Sequence, residues 1–301
     1  MVDSKSVVAY FDTNIVEDIE SAGSPKQRDA DVDADVVRRL REAIADGRLV
    51  VPCSDIVAEE LTGMIAKRPE RAAELGRFYL GLVSTIIAFE MPAPGVSAAV
   101  EEILFGTPRQ PIRTLTAEEQ TNFRTRLTDP TEHDVAEIVA KGREKSGAWR
   151  LENDRQAEEA RQLPGIKAFL EKQGATVTPL PELMEKLWPS LGPFWTPSVV
   201  RGAGRSDGLL DRAKAAGKES QLLDVPAIRT GAGYLVGMRL DQVLRGTKAD
   251  GGNYGDAQHS LCAAAGGAIF VTRDRKLRTI LDGIPGRPLR AMRLSELVDS
   301  L

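Results

Sequence analysis

The sequence predicts an α/β fold in which helices cover a central parallel β-sheet. Near the amino terminus, short apolar runs rich in β-branched residues alternate with amphipathic helical segments. A second buried strand pattern returns close to the carboxyl terminus, and the middle of the chain is helical in pattern. We therefore expect a core built from the two ends of the 301-residue chain, with a helical insertion between them.

The amino-terminal part carries the clearest alternation of strand and helix. The first strand ends abruptly at Asp12, Pro52 stops the second strand, and Ser54 caps the helix that follows. In order, the predicted elements are strand 7–11, helix 33–46, strand 49–51, helix 54–63, helix 71–83 and strand 85–89. Parallel pairing of the strands follows from the helices that separate them.

The middle of the chain, 93–228, shows amphipathic helices interrupted by proline and glycine, with no internal repeat. These helices are predicted at 116–127, 131–145, 164–173, 181–188 and 207–217. We interpret 93–228 as a helical insertion and 1–92 together with 229–301 as a discontinuous core. The late elements are helices 231–244 and 256–265, strand 268–271, helix 275–281, strand 289–292 and a final helical turn.

Composition narrows the chemistry that a functional site can use. The chain has only two cysteines, far apart, and two histidines, which argues against a disulfide framework, a zinc site or a histidine-rich metal site. Any metal chemistry is therefore expected to depend on carboxylates. No apolar stretch has the roughly 20 residues of a membrane-spanning helix, and the amino terminus lacks a signal-peptide pattern, so we expect a soluble cytoplasmic protein.

The net charge is −4, but the first third of the chain is acidic and the last part is basic. A basic cluster near the carboxyl terminus has two interpretations, a phosphate contact or a solvated helix face. Its members are Arg273, Arg275, Lys276 and Arg278.

Four acidic residues are the candidates for a single site. Asp12 and Asp274 follow the strands 7–11 and 268–271, and the carboxyl ends of parallel strands are where ligands bind in such sheets. Asp256 is predicted to open the helix before the second of these strands, and Glu60 lies on the helix after the strand 49–51. Clustered carboxylates repel one another unless a cation neutralises them, and oxygen ligands suit Mg²⁺ or Mn²⁺. One or two such ions would support hydrolysis of a phosphodiester.

At these positions the chain resembles the PIN-domain nucleases. The four segments that carry the resemblance are Tyr10 to Asn14, Ser54 to Leu61, Gly255 to His259 and Val271 to Asp274. They match an Asp-Thr-Asn strand end, a helix bearing a glutamate before leucine, an aspartate followed by alanine, and a strand that runs into Thr-x-Asp. The resemblance covers about 5–92 and 229–295 and does not extend to the middle region.

The resemblance implies a PIN-like three-layer α/β/α core and a metal-dependent endoribonuclease. Asp12, Glu60, Asp256 and Asp274 would hold Mg²⁺ or Mn²⁺. Thr13, Asn14 and Thr272 would support these ligands. RNA is the implied substrate, and an antitoxin or other protein partner is implied if the chain is a toxin or defence nuclease; a homodimer is compatible with it. Three rivals remain: an inactive scaffold that binds RNA or protein, a structure-specific DNA nuclease, and a phosphatase with a nucleophilic aspartate.

Each residue also has a simpler interpretation. Asp12 fits a strand-end turn, and Asp256 and Asp274 each fit a residue at a helix amino terminus, with Thr272 as the cap beside Asp274. Glu60 competes with Glu59, and His259 is interpreted mainly as a packed histidine with a substrate-orienting role as the alternative. Three tryptophans of the insertion fit either core packing or base stacking, namely Trp149, Trp188 and Trp195.

Overall fold

The central sheet has four parallel strands in the order β2-β1-β6-β7. The strands are β1 (Val7–Phe11), β2 (Leu49–Val50), β6 (Ile269–Val271) and β7 (Ala291–Met292). This computed structural model describes residues 6–25, 29–162, 179–203, 208–245 and 252–301. The predicted α/β class with a parallel sheet is confirmed, and β1 pairs with β6 although some 250 residues separate them in the chain.

A smaller sheet of three strands, β3 (Pro52–Cys53), β4 (Ser84–Phe89) and β5 (Ile112–Thr114), lies beside the parallel sheet. The prediction that the second strand stops at Pro52 is wrong in part. Because Pro52 has no N–H, the ladder with β1 ends there, but the chain stays extended and pairs with β4 instead. Strand β5 pairs antiparallel with β4, so 93–228 contributes a strand that its helical pattern did not indicate.

Thirteen α-helices and one 3-10 helix are seen in the described residues. They are α1 (Thr13–Ser21), α2 (Ala34–Ala45), α3 (Asp55–Met64), α4 (Pro69–Leu82), α5 (Pro92–Phe105), α6 (Ala117–Thr128), α7 (Glu132–Arg161), α8 (Leu180–Ala203), α9 (Leu209–Ala215), the 3-10 helix Glu219–Asp224, α10 (Pro226–Arg245), α11 (Gly252–Ala265), α12 (Arg275–Asp282) and α13 (Leu294–Ser300). None of the helices in the described part is both long enough and apolar enough to cross a lipid bilayer.

Several helix predictions need correction. Helices α1 and α5 were not predicted, α7 and α8 run well beyond the predicted ends at 145 and 188, and the helix predicted at 164–173 lies outside the described residues. Helix α8 continues through three prolines, Pro189, Pro193 and Pro197. Proline at every fourth position lies on one helical face, while Trp195 is buried on the other, so the lost backbone hydrogen bonds face away from the core.

One hydrophobic core joins the strands to helices from both ends and from the middle region. Tyr10 of β1 and Phe270 of β6 are fully buried, with ring centroids 5.9 Å apart. Trp195 of α8 and Val236 of α10 belong to the same cluster. The middle region therefore shares one hydrophobic core with the sheet that positions the candidate site.

Candidate metal centre

The carboxyl ends of β1 and β6 lie side by side and expose polar residues at one edge of the sheet. Phe11 pairs with Val271 at the last position of each strand, and the N–H of Asp12 donates to the carbonyl of Val271 at 3.1 Å. Asp12 and Thr272, the next residue in each segment, are consequently neighbours. This is the edge at which parallel sheets bind ligands.

Asp12 is a buried carboxylate, 6% exposed, at the amino-terminal boundary of α1. Its Oδ2 accepts hydrogen bonds from the Asn14 side-chain amide and the Thr272 hydroxyl, each at 2.7 Å. Burial raises the pKa of Asp12, and the charge of Glu60 raises it further, whereas His259 and the Thr272 hydroxyl lower it. The remaining oxygen, Oδ1, lies 3.8 Å from His259 Nε2.

Glu60 approaches Asp12 from α3, which Ser54 caps by accepting a hydrogen bond from the N–H of Val57. The Thr13 hydroxyl donates to Glu60 Oε2, and Oε1 lies 3.1 Å from His259 Nε2. Burial tends to raise the pKa of Glu60, but the nearby charge of His259 and the hydrogen bond from Thr13 outweigh it, so the pKa is lowered.

Helix α11 passes close to Glu60 because residue 255 is a glycine. A Cβ on Gly255 would lie 2.9 Å from Glu60 Oε1. The neighbouring Glu59 is directed differently: burial raises its pKa, and Lys145 and Arg126 are the cations that lower it. Of the two glutamates, Glu60 is the one that contacts the other site residues.

His259 of α11 is 2% exposed, and each of its ring nitrogens faces a polar side chain of the site. Nδ1 lies 2.7 Å from the hydroxyl of Tyr10, which in turn lies 2.8 Å from the hydroxyl of Ser54. Nε2 faces Glu60 and Asp12, yet its 3.1 Å contact with Glu60 lacks the alignment of a hydrogen bond, and Nε2 is buried without a hydrogen-bond partner. The contact is therefore an attraction between charges rather than a formed hydrogen bond.

Burial alone would lower the pKa of His259, but the surrounding carboxylates raise it to about 9. Glu60 contributes most to this increase, followed by Asp12 and Asp256. The imidazole is thus cationic at neutral pH in the absence of a metal. Its positive charge offsets only part of the negative charge gathered around it.

Asp12, Glu60 and His259 each offer one ligand atom, and the three atoms lie within 4.8 Å of one another. A site made of two carboxylates and one imidazole fits a divalent cation by its donor chemistry. Nε2 of His259 is buried and makes no hydrogen bond, which is a second sign of such a fit, because a buried polar atom without a hydrogen bond is costly unless something binds it. None of the three residues comes from 93–228.

Asp256 and Asp274 border this cluster without joining the set of ligand atoms that lie within 4.8 Å. Asp256 does not open its helix as predicted, because α11 begins one turn earlier at Gly252. Burial, followed by the charges of Asp12 and Asp274, raises the pKa of Asp256 to about 7. The charge of Asp274 is therefore close enough to act on Asp256.

Asp274, and not Thr272, is the cap of α12. Asp274 itself caps the helix, its Oδ1 accepting from the N–H of Leu277 at 2.9 Å, so the prediction of Thr272 as the cap is wrong. Thr272 is turned inward: its hydroxyl accepts from the N–H of Asp274 and donates to Asp12. The three predicted supporting residues, Thr13, Asn14 and Thr272, each contact Asp12 or Glu60.

The expectation that carboxylates alone form the cluster is wrong, because His259 supplies its third member. The spacing of Asp256 and His259, three residues apart on one helix, was the available signal, since such residues share a face. The basic cluster is partly neutralised by acidic partners: Arg273 pairs with Asp18, and Lys276 pairs with Asp241 at 2.8 Å.

No family model, curated protein or solved structure matches this chain.

Proposed function

We propose that this protein is a PIN-like, divalent-metal-dependent nuclease that cleaves RNA internally. The observation that carries the proposal is the meeting of Asp12, Glu60 and His259 at the carboxyl ends of β1 and β6, with Nε2 of His259 buried and without a hydrogen bond. The strand-end and helix motifs that resemble PIN nucleases contain or adjoin these residues. RNA as the substrate rests on that resemblance.

The metal would be held by one oxygen each of Asp12 and Glu60 and by Nε2 of His259. Mg²⁺ prefers oxygen ligands throughout, whereas a set that includes an imidazole suits Mn²⁺ better. Asp256 and Asp274 adjoin this site and add negative charge that favours a second cation or a hydrated first one. When bound, the cation would supply an activated water and stabilise the charge that builds on the phosphodiester.

The residues around the ligands restrict how they move. Asn14 and Thr272 hold Oδ2 of Asp12, and Thr13 holds Oε2 of Glu60, so that in both side chains the other oxygen faces His259. The Tyr10 hydroxyl contacts Nδ1 and so directs Nε2 toward the carboxylates. Such contacts orient metal ligands before the metal arrives.

The first test combines an RNA assay with thermal melts of wild type and Asp12→Asn. Wild type should cleave labelled single-stranded RNA internally with Mn²⁺ or Mg²⁺ and should lose activity in chelator. Asp12→Asn keeps the shape of the side chain but removes a ligand charge, so we expect a loss of about a thousandfold, equivalent to about 4 kcal/mol in the barrier. Asp46→Asn, at a carboxylate 62% exposed on the surface, is the control and should behave as wild type.

The melts test the site without a substrate. Metal that binds only the folded state stabilises it by about 2.7 kcal/mol at a hundredfold excess over its Kd. Wild type should gain this stability with Mn²⁺, whereas Asp12→Asn should gain far less and, without metal, should melt no lower than wild type because one buried like charge is gone. Undiminished cleavage in chelator, cleavage of a phosphomonoester instead of RNA, or equal Mn²⁺ shifts in both proteins would contradict the proposal.

A further inference from the structure

A cavity of about 690 Å³ opens beside the candidate metal centre. Its walls come from α3, α7 and α11, so the middle region and the core line it together. Glu60, whose side chain is 38% exposed, lines this cavity, while Asp12 and His259 are nearly inaccessible. The cavity therefore leads to Glu60, the solvent-accessible member of the cluster.

Positive charge lines the cavity on the side of α7 and the turn after α3. Lys67, Arg143 and Lys145 are exposed and face it, and within the described part of the chain none of the three forms an ion pair. Two further cations of the lining are already neutralised, since Lys141 pairs with Glu137 and Arg126 with Asp55. Three cations of the lining are thus without an ion pair next to a site that would hold a divalent ion; the lining also carries Asp134 and Glu59, whose pKa Lys145 lowers.

An aromatic side chain completes the lining. Tyr254, two residues before Asp256, is half-buried at the cavity and packs edge-on against Trp149 of α7, with ring centroids 6.2 Å apart. Grooves that bind single-stranded nucleic acid combine cations along the backbone with aromatic rings on which bases stack. Cations on one wall and an aromatic ring near the metal site match that combination.

We propose that this cavity binds a single-stranded RNA segment, whose phosphates contact Lys67, Arg143 and Lys145 and whose base stacks near Tyr254. The choice of RNA rests on the proposed function. The choice of a single strand rests on depth, because Asp12 and His259 lie below the surface and a phosphate must enter a recess to reach them. A flexible single strand can follow a recess, whereas a duplex holds its phosphates on a stiff cylinder.

The experiment measures binding without cleavage, using the full chain in excess chelator and a labelled 12-nucleotide RNA, the same sequence as DNA, and an RNA duplex. Arg143→Glu combined with Lys145→Glu should weaken binding of the single-stranded RNA by about tenfold or more. Each phosphate contact on a single strand contributes about 0.7 to the slope of log K against log salt, so the slope should fall by about 1.4. The duplex should bind wild type more weakly than the single strand.

The matched control is Arg41→Glu combined with Arg77→Glu. Both are exposed helical arginines outside the cavity, without an ion pair among the described residues, and the double variant changes the net charge by the same amount. It should retain nearly all of the binding. Equal loss in both double variants, tighter binding of the duplex, or no binding of single-stranded RNA by wild type would overturn the inference.

The two proposals fail in different ways. If wild type cleaves RNA with Mn²⁺ but the cavity variant keeps its KM, the cavity assignment is wrong and the nuclease assignment stands. If wild type binds single-stranded RNA through the cavity but cleaves no nucleic acid with any divalent metal, the nuclease assignment is wrong.

Discussion

Asp12 and Asp18 are two buried carboxylates at the start and the end of the same short helix, and their surroundings differ. Asp18 is 0% exposed and pairs with the guanidinium of Arg273, so a fixed cation from the chain offsets its charge. Asp12 is buried to a similar degree, but the charged groups nearest to it are Glu60 and His259. Asp18 thus has a fixed cationic partner at Oδ1, while its Oδ2 is buried without a hydrogen bond; Asp12 instead shares the imidazolium of His259 with Glu60.

The difference shows what separates a structural carboxylate from a candidate ligand. Around Asp18, Arg273 is the neighbouring cation and Asp29 and Glu17 add negative charge; the pKa of Asp18 rises to about 6, chiefly because burial outweighs Arg273. Around Asp12, the single imidazolium of His259 faces Glu60 and Asp256 as well, and the pKa of Asp256 rises to about 7. Burial is the largest cause of that increase, and the charges of Asp12 and Asp274 add to it, so carboxylates that repel one another are gathered at this edge of the sheet.

The largest effect is expected from Glu60, which lies beside Asp12 in the candidate site. Its neighbour Glu59 provides the matched control. Glu60→Gln removes a ligand charge and should lower RNA cleavage by about a hundredfold or more, or about 2.7 kcal/mol in the barrier, and should abolish most of the Mn²⁺-induced thermal shift. Glu59→Gln removes the same charge one residue away and should keep that thermal shift. If Glu59→Gln lost the shift and Glu60→Gln kept it, the ligand assignment would be reversed.

The positions of Asp12 and Glu60 could be anticipated because strong local patterns precede both. A run of apolar residues ends at Asp12, and Ser54 sets where α3 begins, which determines the face that Glu60 occupies. The structure brings the two residues together. Their role as metal ligands stays a prediction.

The sequence did not predict that His259 lies in the cluster with Asp12 and Glu60, for two physical reasons. Its Nε2 is buried because α11 begins at Gly252 and packs against α3, and Gly255 permits that approach; neither fact follows from the apolar pattern of 256–265. Its orientation depends on the Tyr10 hydroxyl, which arrives from a strand 249 residues away. Long-range contacts of this kind leave no local pattern.

Two elements of the middle region also depend on long-range contacts that the local sequence does not indicate. Strand β5 is only three residues long and owes its conformation to pairing with β4, so propensity alone did not indicate it. Helix α8 passes through prolines that are normally helix breakers, because burial of Trp195 and its neighbours on the opposite face holds the helix together.

A smaller effect is expected from the hydroxyl that orients His259. Tyr10→Phe keeps the buried ring and removes the contacts of the hydroxyl with His259 Nδ1 and with Ser54, so affinity for Mn²⁺ should fall by about 10- to 100-fold, the usual cost of losing a group that orients a ligand. Tyr79→Phe is the control: its hydroxyl is equally buried, accepts from the N–H of Ser54 at 3.0 Å and contacts no site residue.

Both tyrosine variants lose a buried hydrogen bond and should melt somewhat lower than wild type. Only Tyr10→Phe should lose Mn²⁺ affinity in titration calorimetry, and the same loss in Tyr79→Phe would mean that packing, not the hydroxyl beside His259, sets the affinity.

The smallest expected effect concerns Asp18, which forms an ion pair with Arg273. The pKa of Asp18 is about 6 in the folded protein, mainly because of burial, against about 3.9 in an unfolded chain. The folded state therefore binds the proton more tightly, so the stabilising contribution is fully present below about pH 4 and is lost as the pH rises through about 6.

Asp18→Asn cannot titrate and lacks this dependence. From urea unfolding at pH 5.0 and 7.5, the free energy of unfolding of wild type relative to Asp18→Asn should fall by about 1 kcal/mol between the two pH values. Asp35→Asn, at a carboxylate 59% exposed and paired with Arg38 on the surface, is the exposed control measured alongside it. A constant difference for Asp18→Asn would mean that Arg273 compensates Asp18 fully and that burial leaves its ionisation unperturbed.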